Sequence, residues 1–354
     1  MDSTNVRLTG ARRELVQRLF PGGIPMLWCP PVTHFAADGS IDAARTRAHL
    51  RFMHRFVRGF LVPGSTGEGW DMSDDEVLRL LDLLIEEARD LPMHLLVGVL
   101  KTDVRDAVRA MEDTVAWLER ATGASGLESL TRASVCGFTA CPPSGSGLGQ
   151  DRIRRDLEQL LSLGLPISLY QIPQITQNEM SPETVAELSA RYPNFFLFKD
   201  TSGADRVAAS GFRGAFLVRG AEADYARHHA AAGGGYDGFL LATANCFGRE
   251  LCAMIEDLER GRRERAEAFS SELTALWAEV FEAARAVAYG NPFANTAKAI
   301  EHFFAHGPAP RSVPPPYVHS GTPVPSSLIE AAREALLRHG LMPRAGYLEV
   351  RDGA

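Results

Sequence analysis

Short runs of consecutive apolar residues recur along the chain. Each leads into a turn rich in glycine, proline or serine and then into a stretch with apolar residues every three or four positions. The runs are Ile24 to Cys29, Gly59 to Pro63, Met93 to Leu100, Gly137 to Cys141, Pro166 to Tyr170, Phe195 to Lys199, Ala215 to Arg219 and Asp237 to Ala242. Apolar on successive residues rather than on alternate ones, they predict strands covered on both faces, as in a parallel sheet. The stretches between them carry helix signals. Ser40 or Asp42 caps a helix through Phe56, and Ser73-Asp74-Asp75-Glu76 is a capping signature for a helix to about Arg89. Asp103 opens the next helix, Arg152 to Leu163 forms another, and Ser181-Pro182-Glu183 starts one with proline at its first position. Strands alternating with helices in this number predict a (β/α)₈ barrel, the TIM-barrel form of an α/β fold. A doubly wound open sheet would carry a glycine fingerprint after its first strand, and Pro30-Pro31 stands there instead.

The barrel and a short N-terminal helix are expected over residues 1–248, with a glycine- and serine-containing insertion at Gly123 to Ala133. Residues 249–306 read as continuous helix, more than the last barrel helix needs, and 307–354 as a proline-rich linker followed by a helix capped by Ser326-Ser327. The linker is either a flexible tether or an arm that packs on the barrel or on a second subunit.

Charge and cysteine content narrow the function classes. The net charge is −7 with acids and bases mixed, so neither a basic stripe for nucleic acid nor a polybasic membrane patch is present. The region before Phe20 contains Arg7, Arg12, Arg13 and Arg18 and lacks the apolar core of a signal peptide, which leads us to expect a cytoplasmic protein. The five cysteines are an odd number, sit mostly in apolar runs and form no Cys/His group with metal spacing, so we expect free thiols and no metal.

Lysine usage points to the chemistry. Of 37 basic side chains only Lys101, Lys199 and Lys298 are lysine, and Lys199 closes the apolar run Phe195-Phe196-Leu197-Phe198. Arginine stays protonated, whereas an enclosed lysine can shed its proton and become a nucleophile. In a parallel barrel the reacting groups project from the C-terminal strand ends, where Gly64-Ser65-Thr66-Gly67-Glu68, Tyr170-Gln171-Ile172-Pro173, Lys199-Asp200 and Thr243-Ala244-Asn245 fall. The fifth and sixth strands are sequential and so expected to be neighbours about 4.8 Å apart. Tyr170 and Lys199 would then face one small volume. Taken singly, each of these stretches is better explained by an ordinary loop or a core aromatic. Their joint occurrence at matching strand ends is what favours a site.

The set GSTGE, YxIP and an apolar run ending in Lys-Asp, with Ile24 to Pro30 and Asp38 to Asp42 before it, resembles the dihydrodipicolinate synthase/N-acetylneuraminate lyase family of class I aldolases. The resemblance covers roughly residues 22 to 305. It implies Lys199 as the Schiff-base lysine, Tyr170 as a proton-relaying hydroxyl, and Ser65 and Thr66, flanked by Gly64 and Gly67, as the cradle of a 2-oxo acid carboxylate. It also implies a lyase that forms or cleaves a C–C bond between a pyruvate-like acid and an aldehyde, without cofactor, in a homotetramer or homodimer. Dihydrodipicolinate synthases carry an arginine where this chain reads Gln174-Ile175-Thr176, and tyrosines near Pro143-Ser144. GSTGE with YxIP leans toward the neuraminate-lyase and sugar-acid side. Glu222, Thr243, Asn245, Ser144 and Gln174 are placed around the second substrate by strand-end position. Two alternatives remain at this point: a sugar-acid dehydratase using the same iminium, or a non-catalytic barrel that binds a 2-oxo acid.

Overall fold

The computed structural model of the protein describes residues 10–310 and 313–349. Parallel strands β1 (Leu27–Cys29), β2 (Gly59–Val62), β3 (His94–Val99), β4 (Val135–Ala140), β5 (Ile167–Gln171), β6 (Phe195–Asp200), β7 (Phe216–Arg219) and β8 (Gly238–Leu240) close into a barrel in sequence order, β8 pairing with β1. The expected α/β architecture, a (β/α)₈ TIM barrel with additional C-terminal helices, is the one observed.

Helix α1 (Gly10–Leu19) lies at the bottom of the barrel. Its Val16, with Phe20 beyond its end, packs on Trp28, Leu61, Leu96 and Phe196, and Arg12 donates to the carbonyls of Phe195 and Tyr192 at 2.8 and 2.9 Å. The outer layer starts with α2 (Ala43–His54), α3 (Asp74–Ala88) and α4 (Val104–Thr122). Asp42, Ser73 and Asp103 cap these three through their side chains, Ser73 and Glu76 forming a full capping box. The Gly123 to Ala133 insertion folds as α5 (Leu127–Arg132), followed by α6 (Gln150–Leu161), the single turn α7 (Pro173–Thr176) and α8 (Pro182–Arg191). After β6 the connection is the single turn α9 (Arg206–Ala209), and after β7 it is α10 (Tyr225–His228) followed by a 3-10 turn at Ala230–Ala232.

Residues 249–306 depart from the continuous helix expected. The structure has α11 (Ala244–Glu259), kinked at Phe247, then α12 (Arg263–Arg285) and α13 (Pro292–His306). Gly261, at φ 75°, separates the first two, and Gly290 with the capping residue Asn291 separates the last two. The last helix, α14 (Ser326–Arg338), has Pro325 at its cap position and no side-chain cap, so Ser326 and Ser327 lie inside the helix instead of capping it.

The proline-rich segment is an arm packed on the barrel. Tyr317 bridges to Phe35, Lys298 of α13 donates to the Tyr317 carbonyl at 2.7 Å, and the His319 amide donates to Glu68 at 3.0 Å. Among the described residues no helix is long and apolar enough to cross a membrane.

Candidate active site

Strand alternation decides what the barrel mouth contains. On β6, Leu197 and Lys199 point inward while Phe198 and Asp200 point outward; Phe198 joins the core between barrel and helices, and Asp200 accepts from the Tyr236 hydroxyl at 3.1 Å. Leu61, Leu197, Val218 and Leu240 form an apolar floor inside the barrel, the layer from which Lys199 rises. The lysine is 3 % exposed.

Tyr170 and Lys199 are register partners on β5 and β6. The Lys199 Nζ sits 4.0 Å from the centroid of the Tyr170 ring, over its face. No carboxylate within ion-pair distance of Lys199 occurs among the described residues. Gly220, the first residue after β7, completes the seat: a Cβ there would stand 2.9 Å from Lys199 Cε and 2.4 Å from the Thr201 methyl, so a side chain would push the amine out of place.

The GSTGE segment is a tight turn. The amides of Gly67, Glu68 and Gly69 donate within it to Ser65 and Gly64 carbonyls, which leaves the Ser65 and Thr66 amides without an acceptor among the described residues. Its glycines allow close packing on the loop after β1, since a Cβ at Gly64 would meet Pro30 at 2.6 Å and one at Gly67 the Pro31 carbonyl at 2.7 Å. Trp70 Nε1 donates to Ser65 Oγ at 2.9 Å, and Ser65 Oγ lies 3.4 Å from the Tyr170 hydroxyl. Ser65 is therefore held between an indole that can only donate and a phenol that can do either.

Ser65, Thr66, Tyr170, Lys199 and Glu222 line one pocket, of about 360 Å³, together with Gln174. Glu222 reaches the surface in part, yet its carboxylate is ringed by donors. Tyr225 Oη and Thr243 Oγ1 donate to Oε2 at 3.0 and 2.8 Å, and the Ala242 and Thr243 amides donate to Oε1. Burial pushes its carboxyl up to about 7 against the pull of these donors. Burial and the Glu222 charge raise the Tyr225 phenol well above its ordinary range, which keeps it a donor.

Three residues placed around the second substrate by strand-end position stand elsewhere. Asn245 is enclosed and fully used: it accepts from the Val32 amide at 2.9 Å and donates to Pro30 and Ala242 carbonyls at 3.0 and 2.8 Å, tying the loops after β1 and β8 together. Thr243 acts through Glu222 and does not line the pocket. Ser144 is exposed in a separate outer cleft with Trp70, Lys101 and Gln177. A strand end fixes where a Cα lies and leaves the direction of the loop side chain open.

Residues without a sequence signal also enter. Phe293 of α13 covers the pocket, and Asn291, while capping α13 through Oδ1, donates from Nδ2 to the Ser65 carbonyl at 3.0 Å. Nothing in the C-terminal helical pattern announces this contact.

One group of potential metal ligands occurs among the described residues, the buried His34, His49 and Glu301. Each is already engaged. His49 Nε2 donates to the Asn245 carbonyl at 2.9 Å, so its bare Nδ1 accepts from His34 Nε2 at 3.1 Å. Glu301 binds Arg45 at 2.9 Å and the Tyr347 hydroxyl at 2.6 Å. Burial lowers both imidazoles, and a neutral hydrogen-bonded pair is what the geometry describes.

Residues 150–289 match the model of the dihydrodipicolinate synthetase family. The 4-hydroxy-tetrahydrodipicolinate synthase of Erythrobacter litoralis is 30 % identical over 243 residues, covering 66 % of this chain and 74 % of that protein. The chain belongs to the dihydrodipicolinate synthetase family. Membership makes it an enzyme, a class I lyase of the Schiff-base type that depends on a pyruvate-like 2-oxo acid. The 4-hydroxy-tetrahydrodipicolinate synthase of Haloarcula marismortui is 27 % identical over 267 residues, 74 % of this chain and 79 % of the relative. Two solved structures of the dihydrodipicolinate synthase family share the fold. The synthase from Bacteroides thetaiotaomicron has a TM-score of 0.70 at 18 % identity, over 89 % of this chain and 99 % of that one. YagE from Escherichia coli K12, solved in complex with pyruvate, has a TM-score of 0.69 at 18 % identity, over 90 % and 100 %.

Proposed function

We propose that this family member joins pyruvate, or a close 2-oxo acid, to an aldehyde, or cleaves the corresponding product, with Lys199 as the Schiff-base residue. The observation that carries this reading is the enclosed Lys199 Nζ lying 4.0 Å from the Tyr170 ring centroid with no anionic partner among the described residues. An amine that no carboxylate engages is free to meet the substrate, and its lone pair attacks the ketone carbon. The Ser65 and Thr66 amides and hydroxyls take the substrate carboxylate without placing a second cation beside the lysine.

Tyr170 supplies the proton that lets the carbinolamine oxygen depart as water and is left as the phenolate, 3.4 Å from Ser65 Oγ. The iminium then draws electrons from C3. Loss of a C3 proton to the Tyr170 phenolate gives the enamine, whose carbon adds to the aldehyde carbonyl as Tyr170 returns the proton to its oxygen; in reverse, the C3–C4 bond breaks and the aldehyde leaves. Both directions use the same groups. For the assembly, a homo-oligomer fits the description of one solved relative as the first monomeric dihydrodipicolinate synthase variant, and for location the cytoplasm remains our reading.

Borohydride reduction in the presence of pyruvate tests the assignment. A reduced adduct is expected on the peptide containing Lys199 and is expected to vanish in Lys199→Met. An adduct on Lys101 or Lys298 would refute it.

A further inference from the structure

We infer that the second substrate is an uncharged aldehyde with an apolar body, carrying neither carboxylate nor phosphate. This rests on the reading of Lys199 and Tyr170 above and concerns the part of the same pocket that lies beyond them.

The groups there are spent or apolar. The two oxygens of Glu222 already take four donors, so the side chain has no acceptor left for a ligand. The Thr201 hydroxyl donates to the Gln171 carbonyl at 2.6 Å, which commits its only hydrogen and leaves it an acceptor. Gln174 gives one amide hydrogen to the Thr201 carbonyl at 2.9 Å, and only its other amide hydrogen remains as a neutral donor at the mouth. The remaining walls, Pro30, Ile172, Leu240, Ala242 and Phe293, offer no side-chain hydrogen bond at all.

A second anion therefore meets a single neutral donor there, the free Gln174 amide hydrogen. Among the residues lining the pocket Lys199 is the only cation, and once condensed its iminium charge is balanced by the carboxylate of the 2-oxo acid. The other two lysines are committed elsewhere: Lys101, in the separate outer cleft with Asp103 and Asp106, is paired with Asp74 at 2.8 Å, and Lys298 is paired with Glu68. The pocket beyond Lys199 thus has few free donors, which is unfavourable to a carboxylate, since that group needs several hydrogen bonds to leave water. An aldehyde needs only the Tyr170 proton at its carbonyl oxygen, and an apolar body is served by the aliphatic and aromatic walls.

Butanal and succinic semialdehyde test this, because they share a four-carbon chain and differ in ending as a methyl or a carboxylate. With pyruvate held saturating, kcat/KM for butanal is expected to exceed that for succinic semialdehyde at least 100-fold, and Gln174→Arg is expected to narrow the ratio. A separate measurement without aldehyde, exchange of the pyruvate methyl protons in D₂O, reports the enamine alone. Exchange together with equal or better use of succinic semialdehyde, or with no use of either aldehyde, overturns the inference while leaving the Schiff base standing. Absence of exchange overturns the Schiff-base reading itself, and this inference with it.

Discussion

Lys199 and Lys298 are both enclosed amines set over an aromatic face, and their surroundings assign them opposite tasks. Lys199 lies 4.0 Å from the Tyr170 ring centroid and Lys298 4.7 Å from that of Phe35. Lys298 is wholly buried, forms an ion pair with the carboxylate of Glu68, equally buried, and donates to the Tyr317 carbonyl. Burial pulls its proton affinity down and Glu68 pushes it back, so the charge is neutralised by a fixed neighbour. Lys199 has the ring, the seat beside Gly220 and an apolar floor, but no such acid. Enclosure alone therefore leaves a lysine's role undecided; the carboxylate beside it, present or missing, separates a structural amine from an available one.

Removing the pairing in one site is the most forceful way to break this contrast. Lys298→Met strands Glu68 in the interior and is expected to cost about 3–5 kcal/mol of stability in denaturant unfolding. The folded fraction should still form the borohydride adduct at Lys199 with saturating pyruvate. Loss of the adduct in a folded Lys298→Met protein would mean that the two amines do not divide their tasks in this way.

Making the two rings alike sharpens it. Tyr170→Phe gives Lys199 the same hydrocarbon face that Phe35 gives Lys298, removing only the hydroxyl. Turnover is expected to fall about 100-fold, the effect of losing one positioned proton donor, with thermal unfolding nearly unchanged. Turnover equal to that of the parent protein would remove the relay role.

The smallest effect concerns the acid in each neighbourhood. Glu68 answers a cation, whereas Glu222 answers neutral donors, and burial raises it to about 7. Between pH 4.5 and 7 the unfolded chain has released this proton while the folded one retains it, so stability falls as pH rises through that window. The slope should be about 1 kcal/mol per pH unit or less and should disappear in Glu222→Gln, as read by unfolding midpoints across the range. A slope that persists in the variant would assign it to other groups.

The barrel was legible because each strand is a contiguous apolar run, and the pairing of Tyr170 with Lys199 followed from two neighbouring strands ending together. The scarcity of lysine drew attention to Lys199 and, for the same reason, could have drawn it to Lys298. What the pattern left hidden arises from contacts distant in sequence. Asn291 and Phe293 reach the pocket from a helix whose periodicity describes only its own packing, and Trp70 meets Ser65 through a turn. Asn245 and Ser144 show the converse: polar residues correctly placed at strand ends, whose side chains serve a loop tie and an outer cleft. The break at Gly290 escaped a reading of continuous helix because the apolar spacing resumes on both sides of it.

The tie between Ser65 and Asn291, with those from Glu68 to Lys298 and His319, joins one short turn to segments made more than two hundred residues later. On a ribosome, all eight strands are synthesised before these partners emerge. A nascent chain could thus close its barrel while the turn that is to grip the substrate is still unfastened, and binding competence would arrive last, only as translation completes the arm.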